Sequence, residues 1–82
     1  MQYNAVYEYN GIRYGLKLNQ TTNFKGGNGI NKGWVARFYN QKGGMVAQGT
    51  SGVGKESAIS NAKRNLLTRF GVYGLQGLIK IQ

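Results

Sequence analysis

Residues 2–19, QYNAVYEYNGIRYGLKLN, decide the fold. Residues 2–9 alternate with period two. Tyr3, Ala5, Tyr7 and Tyr9 fall on one face, and Gln2, Asn4, Val6 and Glu8 on the other. Asn10-Gly11 follows, the dipeptide suited to a type I′ turn, which needs positive φ at both central residues. Residues 12–19 alternate again, with Ile12, Tyr14, Leu16 and Leu18 on one face. A two-residue turn at 10–11 pairs Tyr9 with Ile12, Tyr7 with Tyr14, Ala5 with Leu16 and Tyr3 with Leu18. All four pairs are apolar and share a face. The other face sets Glu8 against Arg13 and Asn4 against Lys17, compatible polar and charged pairs. Pattern and turn agree on a β-hairpin.

Outward from the hairpin, residues 20–33, QTTNFKGGNGINKG, read as a long polar loop. It carries Lys25 and Lys32, with Phe24 and Ile30 as anchors or contacts. Residues 34–40, WVARFYN, read as a third strand, with Trp34, Ala36 and Phe38 on one face and Val35, Arg37 and Tyr39 on the other. Gln41-Lys42-Gly43-Gly44 turns the chain. Residues 45–49, MVAQG, form a short fourth strand. From Lys55 the period becomes helical: Ala58, Ile59, Ala62, Leu66 and Phe70 make one stripe. Ser57, Ser60, Asn61, Arg64, Asn65 and Thr68 lie opposite, with Lys63 and Leu67 near a flank. Gly71 stands where a C′ residue belongs. In the tail, Leu78-Ile79-Lys80-Ile81 offers a short fifth strand, weakened by Gly74 and Gly77.

The expected architecture is α+β and a single domain over residues 1–82. It has an antiparallel sheet of about four strands in two hairpins, one C-terminal helix on one face, and the short fifth strand. A chain of 82 residues buries only about 60–65% of its unfolded surface, so one modest core is expected.

Composition narrows the chemistry. The chain has no Cys and no His, and its two carboxylates are Glu8 and Glu56. A disulfide framework and a thiolate metal site are excluded, and an acid/base pair is hard to build. No enzyme, no cofactor and no metal site is expected. MQYNAVYEYN has neither a basic start nor an apolar run, and no stretch approaches the roughly 20 apolar residues of a membrane span. A soluble, cytoplasmic protein without membrane attachment is the expectation. Eleven Lys and Arg against two acids give a formal charge of +9. Such a chain is attracted to polyanions, nucleic acid first. The lysines are spread along the chain, which argues for a folded basic face.

One motif invites an enzymatic reading. Residues 49–57, GTSGVGKES, match the phosphate loop G-x-x-x-x-G-K up to its last position. There Glu56 replaces the hydroxyl that would hold Mg²⁺, and the chain contains no Asp to complete a metal site. Nucleotide hydrolysis is rejected. The local physics remains: a glycine-rich bend with Gly52 and Gly54, then Lys55 at a helix start, attracts phosphate.

Residues 34–67 resemble the second half of a double-stranded RNA-binding domain. That family's ending, G-x-G-x-x-K-K-x-A-K, opens a helix rich in Ala and Leu. Lys55 matches its first lysine and Ala58 its alanine; Ala62, Leu66 and Leu67 fall at later apolar positions. The resemblance implies that Lys55 contacts phosphate across a major groove. The chain departs from the family at Glu56 and Ile59, where further lysines stand, and has a hairpin strand where the family has its first helix. "GWVARFYNQKGG" is also similar to the W-x-A-x-I strand and turn of plant ethylene-response-factor DNA-binding domains. The arm-binding domains of tyrosine recombinases share the same three-stranded sheet and C-terminal helix. In both, the resemblance implies a sheet that enters the DNA major groove.

The leading expectation is a non-enzymatic module for double-stranded nucleic acid, DNA or RNA. Arg13, Lys17, Arg37 and Tyr39 would face the partner from the open side of the sheet. Lys25, Lys32, Lys42 and Lys55, with Gly52 and Gly54 beside the last, would clamp phosphates, and Lys63 and Arg64 would add to this from the helix. Two alternatives stand beside it. One is single-stranded nucleic acid stacked on the aromatic residues of the sheet. The other is a small phage or plasmid inhibitor, such as an anti-CRISPR protein, docking on a host or defence protein.

Overall fold

The structure, a computed structural model, describes residues 3–25, 30–71 and 77–82, and in these the side chains of all but residues 22–25 and 30–32. The elements run β1 (Ala5–Tyr9), β2 (Ile12–Lys25), β3 (Ile30–Tyr39), β4 (Met45–Ser51), α1 (Lys55–Thr68) and β5 (Ile79–Lys80). The strands form one antiparallel sheet in the order β4-β3-β2-β1-β5. Four strands are a simple meander. The chain then crosses from one edge to the other through α1 and adds β5 outside β1.

The hairpin turn forms as its chemistry dictates. Asn10 and Gly11 both take positive φ, 52° and 79°, and the register sets Tyr9 against Ile12, Tyr7 against Tyr14 and Ala5 against Leu16. The ladder stops two pairs earlier than the alternation predicts. The Asn4 N–H donates to the Leu16 carbonyl at 2.8 Å, but its side-chain Oδ1 accepts the Leu18 N–H at 2.8 Å. An Asn side chain competes well for backbone donors, and here it takes the place of a strand neighbour. Tyr3 therefore does not pair with Leu18 on the core face, nor does Asn4 pair with Lys17. The Tyr3 ring lies across Gly15 on the opposite face, so close that a Cβ on Gly15 would fall 2.4 Å from it.

A second difference concerns residues 20–33, expected as a loop. β2 continues to Lys25 and β3 begins at Ile30, with Thr21 opposite Gly33, Phe24 opposite Asn31 and Lys25 opposite Ile30 across an irregularity between Thr21 and Phe24. Cross-strand pairing overrides a composition that reads as loop. Beyond Gln20 and Trp34 this ribbon is two-stranded, since β1 pairs only as far as Leu16 and β4 only as far as Trp34.

α1 lies on the sheet face bearing Ala5, Tyr7, Tyr14, Leu16, Ala36, Phe38 and Ala47, which are buried with Ala58, Ala62 and Leu66 of the helix. Gly49 sets the seat of the helix: a Cβ there would lie 2.2 Å from the Ala62 nitrogen and 2.5 Å from the Ala58 oxygen. The buried stripe is rotated from the expected one. Leu67 is fully buried, whereas Phe70 is 45% exposed and stacks on Tyr9, ring centroids 5.1 Å apart. Gly71 has the positive φ expected of it, 76°, but stands two residues past the C-cap Arg69 because three short-range bonds extend the end of the helix.

The helix also protects an edge. Asn61 and Asn65, expected on its solvent side, donate from Nδ2 to the carbonyls of Thr50 at 2.9 Å and Gln48 at 2.6 Å; Arg69 donates from a guanidinium nitrogen to Val46 at 2.6 Å. These three residues, each four apart, occupy alternate outward carbonyls of edge strand β4. An edge so covered is a poor template for another strand.

Candidate nucleic-acid interface

Alternation along each strand fixes what the face away from α1 displays. Leu16 and Leu18 point toward the helix layer, so Lys17 between them points away. Lys17 is directly opposite Arg37, which is opposite Gln48 of β4. Arg37 Nε donates to Gln48 Oε1 at 3.0 Å, which fixes the guanidinium within the row. One row along, Gly15 is opposite Tyr39, and one row further Arg13 is opposite Glu8. Arg13, Lys17, Arg37 and Tyr39 therefore share one open face, with Arg13 exposed and the others half-buried along their stems. The structure adds Tyr3 to this face, its ring 6.0 Å from that of Tyr39 at a tilt of 34°. A shallow hollow of about 200 Å³ opens there, lined by Tyr3, Val6, Arg13, Gly15, Asn40 and Gln41.

Like charges directly opposite each other repel, so the facing of Lys17 and Arg37 does not itself stabilise the sheet. Seven of the eleven cations (all but Lys25, Lys32, the carbonyl-bound Arg69 and Arg37, bonded to Gln48 of β4) have described side chains without a hydrogen bond to the sheet edge.

Lys42 stands exposed on the β3–β4 turn. Asn40 builds that turn: its Oδ1 accepts the N–H groups of Lys42 and Gly44, each at 2.9 Å, and Gly43 supplies the positive φ of 85°. The bend at 51–54 is held by Ser51, whose hydroxyl accepts the Val53 N–H at 3.0 Å. Gly54 is the N-cap, with extended backbone (φ 177°) and no side-chain cap. A Cβ on Gly54 would meet nothing within 4 Å, so packing within the chain does not require glycine there. Gly52 is exposed in the same bend.

The remaining predicted cations lie on the helix side. Lys55 and Lys63 line a groove between α1 and the β1–β2 strands, joined by Lys80 of β5. Lys63 Nζ sits 4.7 Å above the Tyr7 ring. Arg64 lies on the other flank, in a hollow with Gln48, Gly49, Thr50, Asn61 and Asn65. The expected set is thus brought together in part: Arg13, Lys17, Arg37 and Tyr39 on the open face; Lys55 and Lys63 in the helix-side groove; Arg64 and Lys42 apart from both. The side chains of Lys25 and Lys32 lie outside the described residues; their backbones place them on the β2–β3 ribbon.

Sequence reasoning missed Lys80, Tyr3 and Gln48. Lys80 alternates with Ile79 and Ile81 in the terminal strand, a visible signal. Tyr3 was hidden by a perfect period-two pattern that Asn4 interrupts.

The chain matches no family model, no curated protein and no solved structure. The fold and the surfaces just described are therefore what bear on function. Among the described residues, no group of three His, Cys, Asp or Glu stands together as a metal site, and no helix is long and apolar enough to cross a membrane.

Proposed function

We propose that this chain is a small non-enzymatic module that binds double-stranded nucleic acid, mainly through backbone phosphates. The observation that carries the proposal is the open-face row of Lys17 opposite Arg37, with Arg13 nearby, in a chain of formal charge +9. Two cations at directly opposite positions with no acid in their row repel each other, and a phosphate backbone supplies anions at regular spacing. The two-stranded extension of β2 and β3 supports the same reading, since a ribbon of two strands is a shape the DNA major groove admits. Phosphate contacts give affinity and orientation with little sequence preference.

The Tyr3–Tyr39 pair favours a second reading. Two rings on the cationic face would let unpaired bases stack, as on other single-strand binders. Gel shifts with duplex DNA, duplex RNA and the matching single strands, at one controlled salt concentration, separate the two. Duplexes shifted at lower protein concentration than single strands support duplex binding. The reverse order replaces it with the stacking mode, and no shift for any of the four removes nucleic-acid binding.

A further inference from the structure

The helix side of the sheet carries a second cationic surface. Seating on Gly49 draws α1 toward β4 and β3, and the helix-side face of β1 and β2 is left partly uncovered. The result is a groove of about 480 Å³, with Lys55, Lys63 and Lys80 around it and Glu56 as its one acid. Its walls include Tyr7, Leu16, Leu18 and Ile59. A cleft with charge of one sign and low-dielectric walls focuses its potential outward. Lys63 is held in place over the Tyr7 ring, an arrangement that fixes one charge at the groove without neutralising it.

This groove and the open face point in opposite directions. The separation is visible within three residues of β2: Leu16 and Leu18 line the groove, and Lys17 between them lies on the far side of the sheet. The sheet stands between the two surfaces, and the molecule is 19 Å across its short axis. A straight duplex laid on one surface does not reach the other.

We propose that the groove is a second phosphate-binding surface, so that one copy of the chain bridges two duplex segments, one on each face. The inference rests on the reading of the open face as a duplex-binding surface. It assigns two of the cations that the open face leaves over, Lys55 and Lys63, and adds Lys80, to a second duplex.

The test uses the full chain and two populations of a short DNA duplex, one labelled with a donor dye and one with an acceptor. Single-duplex binding is measured by anisotropy and bridging by energy transfer between the dyes. Wild-type protein should bind and bridge. Lys55→Gln/Lys63→Gln/Lys80→Gln should lower bridging about tenfold, while affinity for the first duplex stays within about threefold, because three phosphate contacts are lost on one face only. Lys17→Gln/Arg37→Gln should also lose bridging, and duplex added to it should shift the amide resonances of Leu18, Ile59 and Ser60 in the groove. The inference is overturned if wild-type protein binds duplex but never two together, or if the triple variant bridges as well as wild type. It is also overturned if polyglutamate shifts those three resonances and duplex does not, since the groove would then be a site for an acidic protein segment. Failure of wild-type protein to bind any duplex is a different result: it removes the open-face reading, and the bridge with it.

Discussion

Replacing Gly49 with alanine tests how the helix is seated. A Cβ at this position would lie 2.2 Å from the Ala62 nitrogen, 2.5 Å from the Ala58 oxygen and 2.7 Å from the Asn61 carbonyl carbon. All three atoms are helix backbone, so no side-chain rotation relieves the clash. Gly49 does not have positive φ, so the clash is the whole effect. Favourable contacts need about 3.5–4.0 Å, so α1 must retreat by roughly 1–1.5 Å. The retreat loosens the contacts of Ala58, Ala62 and Leu66, all fully buried. Overpacking of this kind costs about 1–3 kcal/mol, and more where the backbone must move. The same retreat stretches the Asn61–Thr50 and Asn65–Gln48 hydrogen bonds, each worth about 1 kcal/mol net. The expected loss is therefore about 3–5 kcal/mol, against a total of roughly 4–12 kcal/mol for a chain of this length. The melting temperature should fall by at least about 12 °C. Urea unfolding followed by the single Trp, Trp34, measures the loss. A loss below about 1 kcal/mol would refute the close seating on Gly49 and, with it, the stated origin of the helix-side groove.

Three further substitutions probe other parts of the fold. Gly15→Ala places a Cβ against the Tyr3 ring, a side chain free to swing away, so it should cost only about 1 kcal/mol and displace Tyr3 from Tyr39, read by the ring resonances of both. Gly54→Ser should raise stability by a few tenths of a kcal/mol, roughly 0.2–0.5, in the same urea assay, because the N-cap lacks a side-chain acceptor and has room for one. Asn61→Ala/Asn65→Ala should cost about 2 kcal/mol and expose the edge of β4, so that sedimentation shows association rising with concentration; a strictly monomeric variant would show that these side chains do not guard the edge.

What was legible in the sequence follows from which interactions are local. Asn10-Gly11 dictates its own turn, and the alternation on either side dictates three of the four predicted apolar pairs, from Tyr9–Ile12 to Ala5–Leu16, together with Glu8–Arg13. The fourth failed because one side chain, Asn4, took a backbone partner that alternation assigns to the strand. Residues 20–33 read as loop because Gly, Asn and Thr dominate, whereas pairing of Thr21 with Gly33 and Phe24 with Asn31 is a non-local choice that composition does not reveal. For the candidate site, the shared face of Arg13, Lys17, Arg37 and Tyr39 was legible from parity alone. The division of the remaining cations was not. It depends on where the helix lies across the sheet, and that is set by contact of Gly49 with Ala58 and Ala62. The edge-covering trio Asn61, Asn65 and Arg69 was masked in the same way: polar residues on a helix read as solvent-facing until the neighbouring strand is in place.

The most direct test of duplex binding by the open face is the slope of log K against log salt concentration for a DNA duplex, measured for Lys55→Gln/Lys63→Gln/Lys80→Gln protein, which leaves the open face alone to bind, and for the same protein with Lys17→Gln/Arg37→Gln added. Contacts from Arg13, Lys17 and Arg37 alone predict a slope of about −2.7 for the first, steeper with each further contact, and the second should lose about 1.8 of it. A flat line for the first protein, or equal slopes for the two, would contradict phosphate binding by this face.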